Sequence, residues 1–244
     1  MKTVRDGDGS FPRAASAAPR DAVEVFDRIF PAYDRMNRIL SLCLDPFWRR
    51  RAARRIAAEC RAAPRILDLA SGTGDFAIAL SRAIADESIV CADPSVPMLA
   101  AAKRKIAARQ RADRFSFLEC RAGAIPCADA SFNAVSCAFG FRNFPSADDA
   151  LRECARVLEP GGVLGVLEFT RPRTALFRAA LSGWLATASL FAGRFRRDYA
   201  HLRRSINATF TAGEFVERAA VRGFRAVRAE LFLPACGFFL FRRA

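Results

Sequence analysis

The sequence predicts an α/β fold, one mostly parallel sheet covered by helices and preceded by a helical N-terminal region. Three observations carry this expectation. From Arg65 onward, short apolar runs of strand length alternate with stretches of helical period, as in a parallel sheet covered on both faces. The run Val163–Phe169 holds no polar residue before Glu168, as suits a strand buried on both sides. Between the first apolar run and the first helix of this series stands Asp68-Leu69-Ala70-Ser71-Gly72-Thr73-Gly74-Asp75, which reads as a strand end, a tight turn and a helix start.

Taken in order, residues 1–20 are rich in Gly, Pro, Ala and Ser without a hydrophobic period, and are expected to form a disordered tail. The remainder, 21–244, is expected to be one domain, with a helical cap over 21–60. In that cap the apolar residues at 26, 29, 33, 36 and 40 recur at helical spacing, and Pro31 must break or restart the helix. Asp45-Pro46 opens a helix carrying Trp48 and the cluster Arg49, Arg50, Arg51, Arg54 and Arg55. That cluster reads as a solvated face, or, beside Phe47-Trp48, as a membrane-interface helix. Strands are expected at Arg65–Leu69, at Ile89–Ala92 ending on Asp93, at Phe115–Leu118, at Phe132–Phe139 and at Val163–Phe169. A helix is expected around Met98–Ala108, and another over Asp148–Leu158, broken by Glu159-Pro160-Gly161-Gly162.

The net charge of +14 and pI near 10.6 suit an anionic partner, or reflect composition alone, since nearly all the positive charge is arginine. Attraction to anionic lipid headgroups is the functional reading; no motif supports a nucleic-acid partner. The eight cysteines are scattered without metal-ligand spacing, which points to a reducing compartment without disulfides or a metal centre. No apolar leader precedes the chain's first helix, and no run reaches the length of a membrane span.

The glycine turn suits a ligand. Gly72 and Gly74 let backbone lie against it, and the helix start supplies N–H groups and partial positive charge. Ala77 occupies the third position of a dinucleotide GxGxxG pattern, so that fingerprint is absent. Asp93 follows at the end of the second strand, where a carboxylate can accept both ribose hydroxyls of a nucleoside; a helix N-cap is its alternative role. Asp68 is expected to face the same crevice.

Several longer strings identify a resemblance. They are Tyr33-Asp34-x-Met36-Asn37, Trp48-Arg49, the 68–75 loop and Phe139-Gly140-Phe141-Arg142-Asn143. Further along come Arg156-Val157-Leu158-Glu159-Pro160-Gly161-Gly162, Leu167-Glu168-Phe169 and Tyr199-x-x-Leu202-x-x-Ser205-Ile206. From about Val25 to its end the chain resembles the ubiquinone/menaquinone biosynthesis C-methyltransferases. The resemblance implies a Rossmann-like class I S-adenosylmethionine-dependent methyltransferase fold with seven strands, the last two being an antiparallel hairpin at Ala226–Leu231 and Gly237–Arg242. It implies S-adenosylmethionine as methyl donor, with no metal, and a polyprenylated quinol as acceptor, demethylmenaquinol first, or a ubiquinone-pathway benzoquinol. The donor site would comprise Asp68, Gly72, Thr73, Gly74, Asp93, Arg121 and Ala122. Arginine cannot accept from an adenine amino group, which leaves backbone or Glu119 to read that ring, or a weaker recognition of it. Arg142 would stabilise the quinol oxygen and Asn143 hydrogen-bond it, unless Arg142 instead pairs with Asp148 or Asp149. Tyr33 and Tyr199 would line the quinol pocket, with the lone His201 on the same segment as Tyr199, and 172–212 would form a helical lid. A cytoplasmic protein is implied, peripheral at the inner face of the membrane, with a homodimer as a further expectation. The alternatives are a methyltransferase of this fold acting on another lipid or phenol, and a non-catalytic basic membrane- or nucleic-acid-associated protein.

Overall fold

The computed structural model describes residues 22–109, 112–190, 205, 206, 208–233 and 235–244. The expected tail over 1–20, Tyr199, His201 and part of the expected lid lie outside the described residues. Three helices come first: α1 (Ala22–Ile29), α2 (Tyr33–Leu40) and α3 (Asp45–Ala57). Pro31 acts as expected: a short 3-10 turn, Phe30–Ala32, separates α1 from α2 because proline lacks the N–H a continuous helix needs.

The alternating part follows as β1 (Arg65–Leu69), α4 (Asp75–Ala83), β2 (Ser88–Asp93), α5 (Val96–Ala107), β3 (Phe115–Glu119), β4 (Phe132–Ala138), α6 (Ala147–Val157) and β5 (Leu158–Phe169). It closes with α7 (Ala175–Ser189), α8 (Ala212–Val221), β6 (Phe224–Leu233) and β7 (Cys236–Arg243). The seven strands form one sheet in the order β3-β2-β1-β4-β5-β7-β6. All neighbours are parallel except β7, which runs antiparallel to β5 and β6 and supplies the expected terminal hairpin. Serine and threonine caps start several helices: Ser95 Oγ accepts from Met98 N, Ser146 Oγ from Asp149 N, and Thr211 forms a reciprocal capping box with Glu214.

Strand alternation divides the core into two layers. Phe239 and Phe241 pack with Phe215 of α8 and Leu151 and Cys154 of α6 on one face; Phe238 and Leu240 pack with Ile56 of α3 and Phe76 and Leu80 of α4 on the other. A third cluster, Ile29, Met36 and Leu40 with Leu185, Ala188 and Ile206, fastens α1 and α2 to α7.

One element differs from its expectation. The Glu159–Gly162 stretch does not end a helix and wait for a later strand; β5 begins at Leu158. Phe132 pairs with Leu158 and Ala134 with Val163, so the extra residues bulge out opposite Asn133. Gly161 takes φ +77°, and a Cβ on Gly162 would lie 2.9 Å from Glu159 O, so glycine permits the bulge at both positions.

The topology positions the site. β2 lies on one side of β1 and β4 on the other, so the connections diverge there and a crevice opens beyond the carboxyl ends of these strands. The 70–74 turn, Asp93 and the Phe139–Asn143 turn all lie at those ends.

Candidate active site

The glycine turn is built from left-handed backbone. Ala70, Gly72 and Gly74 take φ values of 54°, 53° and 82°. A Cβ on Gly74 would approach Ala102 Cβ to 3.2 Å, so α5 presses on the turn from behind. Two of its N–H groups, expected to point outward, are used within the protein: Gly72 N donates to Asp93 Oδ2 at 2.9 Å and Gly74 N to Ser71 O at 2.9 Å.

Asp93 is therefore the tie between β2 and the turn. Its other oxygen accepts from Ser95 N at 2.9 Å, while Ser95, not Asp93, caps α5. Burial raises its carboxyl to about 6, against the bonds from Ser95 and Gly72 that favour the ionised form. Asp68 departs from its expected place on the crevice. It has no exposed surface, and Ser136 Oγ donates to its Oδ1 at 2.6 Å across β1 and β4. Burial pushes it to about 7, opposed by Ser136 and the charge of Arg49. An acid raised in the folded state is worth most to stability at low pH and loses that contribution as pH rises. Stability should therefore fall between about pH 4, its ordinary range, and about pH 7. In urea titrations Asp68→Asn should flatten that slope, gaining on the parent protein as pH rises; parallel slopes would remove Asp68 as the cause.

The N-terminal cap reaches the same turn. Thr73 Oγ1 donates to Asp34 Oδ1 at 2.6 Å, and Lys105 Nζ meets Asp34 Oδ2 at 2.6 Å, Asp75 Oδ1 at 2.9 Å and Thr73 Oγ1 at 3.0 Å. Burial alone would raise Asp75, but Lys105, with Arg49 and Arg38 behind it, holds the carboxyl below its usual range. Tyr33, beside Asp34, sets its ring edge 3.8 Å from where a Gly72 Cβ would stand. The cap's Tyr-Asp pair thus sits on the glycine turn.

A largely apolar cavity lies under the cap, lined by Phe26, Ile29, Tyr33, Phe139 and Phe169 together with Asn37, Asp45, Arg49, Arg142 and Asn143. The turn after β4 supplies three of these. A Cβ on Gly140 would come within 2.8 Å of both Cys137 Sγ and Ala70 Cβ, so glycine is needed for the two turns to meet. Phe139 takes a left-handed φ of 63°, and its carbonyl accepts from Arg142 Nη1 at 2.7 Å and Asn143 Nδ2 at 3.2 Å.

Arg142 does not pair with either aspartate weighed from the sequence. Asp148 meets Arg218 at 2.9 Å and Asp149 meets Arg152 at 2.8 Å. Its partner is Glu168, wholly buried at the end of β5, which accepts from Arg142 Nη1 at 2.6 Å and Arg142 N at 3.1 Å. Both Nη1 hydrogens are then used. Arg142 Nε is buried and meets no hydrogen-bond partner among the described residues. Burial raises the Tyr33 phenol, opposed by Arg49, Asn37 and Arg142, so both guanidinium charges reach that hydroxyl.

Arg121 and Ala122 follow β3 directly after Cys120, whose N donates to Asp93 O at 3.4 Å. Arg121 is exposed and bridges to Ala124; Ala122 is buried. Two residues escaped sequence reading. Glu168 gave no sign of facing a residue 26 positions earlier. Arg49 was grouped with a solvated cluster, yet it is 7% exposed. A signal existed: Asp45, Trp48, Ala52, Ala53 and Ile56 recur at helical spacing and are buried, which puts Arg49 on the same face.

Comparison with known proteins shows the family. Residues 15–234 match the model of the ubiE/COQ5 methyltransferase family. The demethylmenaquinone methyltransferase of Thermus thermophilus is 42% identical over 212 residues, covering 85% of this chain and 94% of the relative. The ubiquinone/menaquinone biosynthesis C-methyltransferase UbiE of Syntrophotalea carbinolica is 37% identical, covering 86% and 88%. Among solved structures, a SAM-dependent methyltransferase from Aquifex aeolicus superposes with a TM-score of 0.57 at 15% identity, covering 76% of this chain and 85% of that one. That likeness is one of fold: the Rossmann-like class I arrangement, for which family and fold imply S-adenosylmethionine as methyl donor. A family match across most of the chain, with relatives aligned over nearly their whole lengths, makes this a methyltransferase belonging to the ubiE/COQ5 family.

Proposed function

We propose that the protein C-methylates the ring of a prenylated quinol, demethylmenaquinol in the first place, in respiratory quinone biosynthesis. One observation carries most of this reading: Arg142 and Asn143 line an apolar, aromatic cavity that adjoins the glycine turn. An apolar cavity suits a quinol ring, and buried donors suit its oxygens.

The residues present fit the donor. Gly72 leaves the turn open to close backbone approach, Gly74 lets α5 pack behind it, and Asp93 stands at the end of β2 with two carboxylate oxygens that each retain acceptor capacity. Thr73, its hydroxyl held by Asp34 and Lys105, would fix the turn, and Asp68 would brace it from beneath. Backbone near Ala122 would read the adenine, since the exposed Arg121 offers no side-chain acceptor. When bound, S-adenosylmethionine supplies an already activated methyl group, and the protein's task is to raise the acceptor's reactivity and align it.

A quinol ring carbon becomes nucleophilic as a ring hydroxyl loses its proton to water; the methyl then replaces a ring hydrogen, which leaves as a second proton to water while the sulfonium becomes a neutral thioether. Arg142 serves that step by offering its unused Nε–H to the oxygen, held in place by Glu168 and Phe139 O. Asn143 orients a second oxygen. Tyr33, with Phe26 edge-on at 6.1 Å between centroids, forms the wall between quinol ring and glycine turn. Holding both reactants at near-attack distance supplies much of the remaining rate enhancement.

The acceptor's apolar tail calls for a lipid surface. No helix of the described residues is long and apolar enough to cross a membrane. α7 nevertheless exposes Leu176, Phe177 and Trp184, and the α2–α3 turn exposes Leu42. Trp184 Nε1 donates to Leu40 O at 3.1 Å, and Leu40 lines the cavity, so Trp184 stands next to the cavity's wall. Peripheral docking of this side on an anionic membrane is part of the proposal. Quinone profiling of cells lacking the protein tests the reading: a demethylated quinone should accumulate, and an unchanged quinone pool would contradict it.

A further inference from the structure

Arg49 is set apart from the rest of its basic cluster by burial and by its charge environment. Arg50 and Arg54 are exposed, and Arg51 pairs with Glu230. Arg49 lines the cavity with Tyr33, Arg142 and Asn143, and its guanidinium lies 5.2 Å from the centroid of the Phe139 ring. Its Nε meets no hydrogen-bond partner among the described residues.

The counter-charges are unevenly shared. Arg142 is matched by Glu168 at 2.6 Å. Among the described residues Arg49 has only Asp45, at 3.7 Å from its Nε. Asp45 is already committed: Arg38 Nη1 donates to both of its oxygens at 3.0 and 2.9 Å, and Ser41 Oγ donates to Oδ1 at 3.0 Å. Two guanidinium groups, Arg38 and Arg49, therefore share one carboxylate. The other acids near the cavity do not redress this. Asp75 is engaged by Lys105, with Arg38 at 3.9 Å, and Asp68 and Asp93 lie at strand ends where burial disfavours their ionised forms. Tyr33 and Cys236, which also sense the charge of Arg49, are neutral at physiological pH, since burial raises both.

A buried guanidinium short of both counter-charge and hydrogen-bond acceptors is costly unless something supplies them. We propose that Arg49 is a second catalytic residue: it supplies the uncompensated positive charge for the ionised ring oxygen of the acceptor, to which Arg142, neutralised by Glu168, gives the directed hydrogen bond from its Nε. Arg49 thus demands a phenolate-type anion at the apolar end of the crevice. The inference rests on the quinol reading for the identity of that anion, but not for its charge. The face of Phe139 and the short reach from α3 hold the guanidinium in place, so no reorganisation is needed as charge develops.

The test uses 4-nitrophenol, a single-ring phenol whose anion is yellow, titrated with the full-length protein and followed by absorbance. An opposite charge in contact lowers an acid's pKa by about 1–3 units. The bound probe should ionise below its free value in the parent protein. Arg49→Gln should abolish most of that shift, and Arg49→Lys should restore part of it. Melting curves and S-adenosylmethionine calorimetry on each variant separate this from misfolding. Unchanged ionisation in Arg49→Gln, or no binding of the probe to the parent protein at millimolar concentration, would overturn the proposal. A probe shift that depends on Arg49 in a protein that methylates no quinol would keep the anion site and reject the quinol reading.

Discussion

Arg142→Ala is expected to lower turnover by about two to three orders of magnitude, the cost of removing a preorganised donor to a developing oxyanion. S-adenosylmethionine affinity should change little, because the hydrogen bonds of Arg142 run to Phe139 and Glu168, while the 70–74 turn is tied to Asp93. The single substitution also strands Glu168, which is 0% exposed, and leaving one member of a buried pair alone costs about 3–5 kcal/mol of stability. The informative comparison therefore includes Arg142→Ala with Glu168→Gln, which removes the stranded charge. That double variant should recover much of the melting temperature and none of the turnover. Glu168→Gln alone should lie between, since the amide oxygen it introduces can still accept from Arg142 but lacks the charge that fixes it. Full activity in Arg142→Ala would take Arg142 out of the mechanism.

Asp93→Ala should have the second large effect, this time on cofactor binding. The substitution removes the carboxylate proposed to receive the ribose hydroxyls, and it releases Gly72 N and Ser95 N, which hold the glycine turn and the start of α5. Hydrogen bonds to a charged group contribute about 1.5–3 kcal/mol each, so the dissociation constant for S-adenosylmethionine should rise at least about tenfold to hundredfold. Calorimetry reads this directly. The parent protein should carry a matching pH dependence. With Asp93 raised to about 6, the carboxyl takes up its proton as pH falls through that value and no longer accepts both hydroxyls. Cofactor affinity should therefore weaken below about pH 6 and level off above it. In Asp93→Asn that dependence should vanish. A pH profile identical in both proteins would assign the ribose to another residue.

Much of the frame was legible in the sequence because each local signal agreed with its neighbours. The apolar runs at Arg65–Leu69 and Phe132–Phe139 became β1 and β4, the glycine turn fell between β1 and α4, and the expected final hairpin became β6 and β7. The Glu159–Gly162 bulge was not legible, because Pro and Gly signal a break equally well in a loop and in an irregular strand. The site was less legible than the fold, for a related reason. Arg142 could be found from its own string, but its partner Glu168 comes from another strand and depends on the β4–β5 register. The latch of Asp34 and Lys105 on Thr73 joins residues as many as 71 positions apart, which no local pattern reports. Asp68 reads as a crevice residue because it stands near a strand end; β1 is covered on both faces, and Asp68 is buried against Ser136 of the neighbouring strand. Arg49 was masked by its arginine neighbours, although the apolar stripe beside it placed it inward.

Two cationic side chains, Arg49 and Arg142, are buried at one largely apolar cavity. In this proposal the glycine turn and Asp93 address the donor and would serve any acceptor. On the proposed reading, the choice of acceptor falls to the cap and the turn after β4, where Tyr33, Arg49, Arg142 and Asn143 line one cavity.

The most direct test of quinol C-methylation is transfer itself. Purified protein, S-adenosylmethionine labelled in its methyl group, and a demethylmenaquinol with a short prenyl tail would be incubated under reducing conditions. The quinone product would then be analysed by mass spectrometry and NMR. One labelled methyl bonded to a ring carbon, formed slowly by Arg142→Ala, is the expected result. Label found only on a ring oxygen, or no transfer by a protein that binds S-adenosylmethionine, would contradict it.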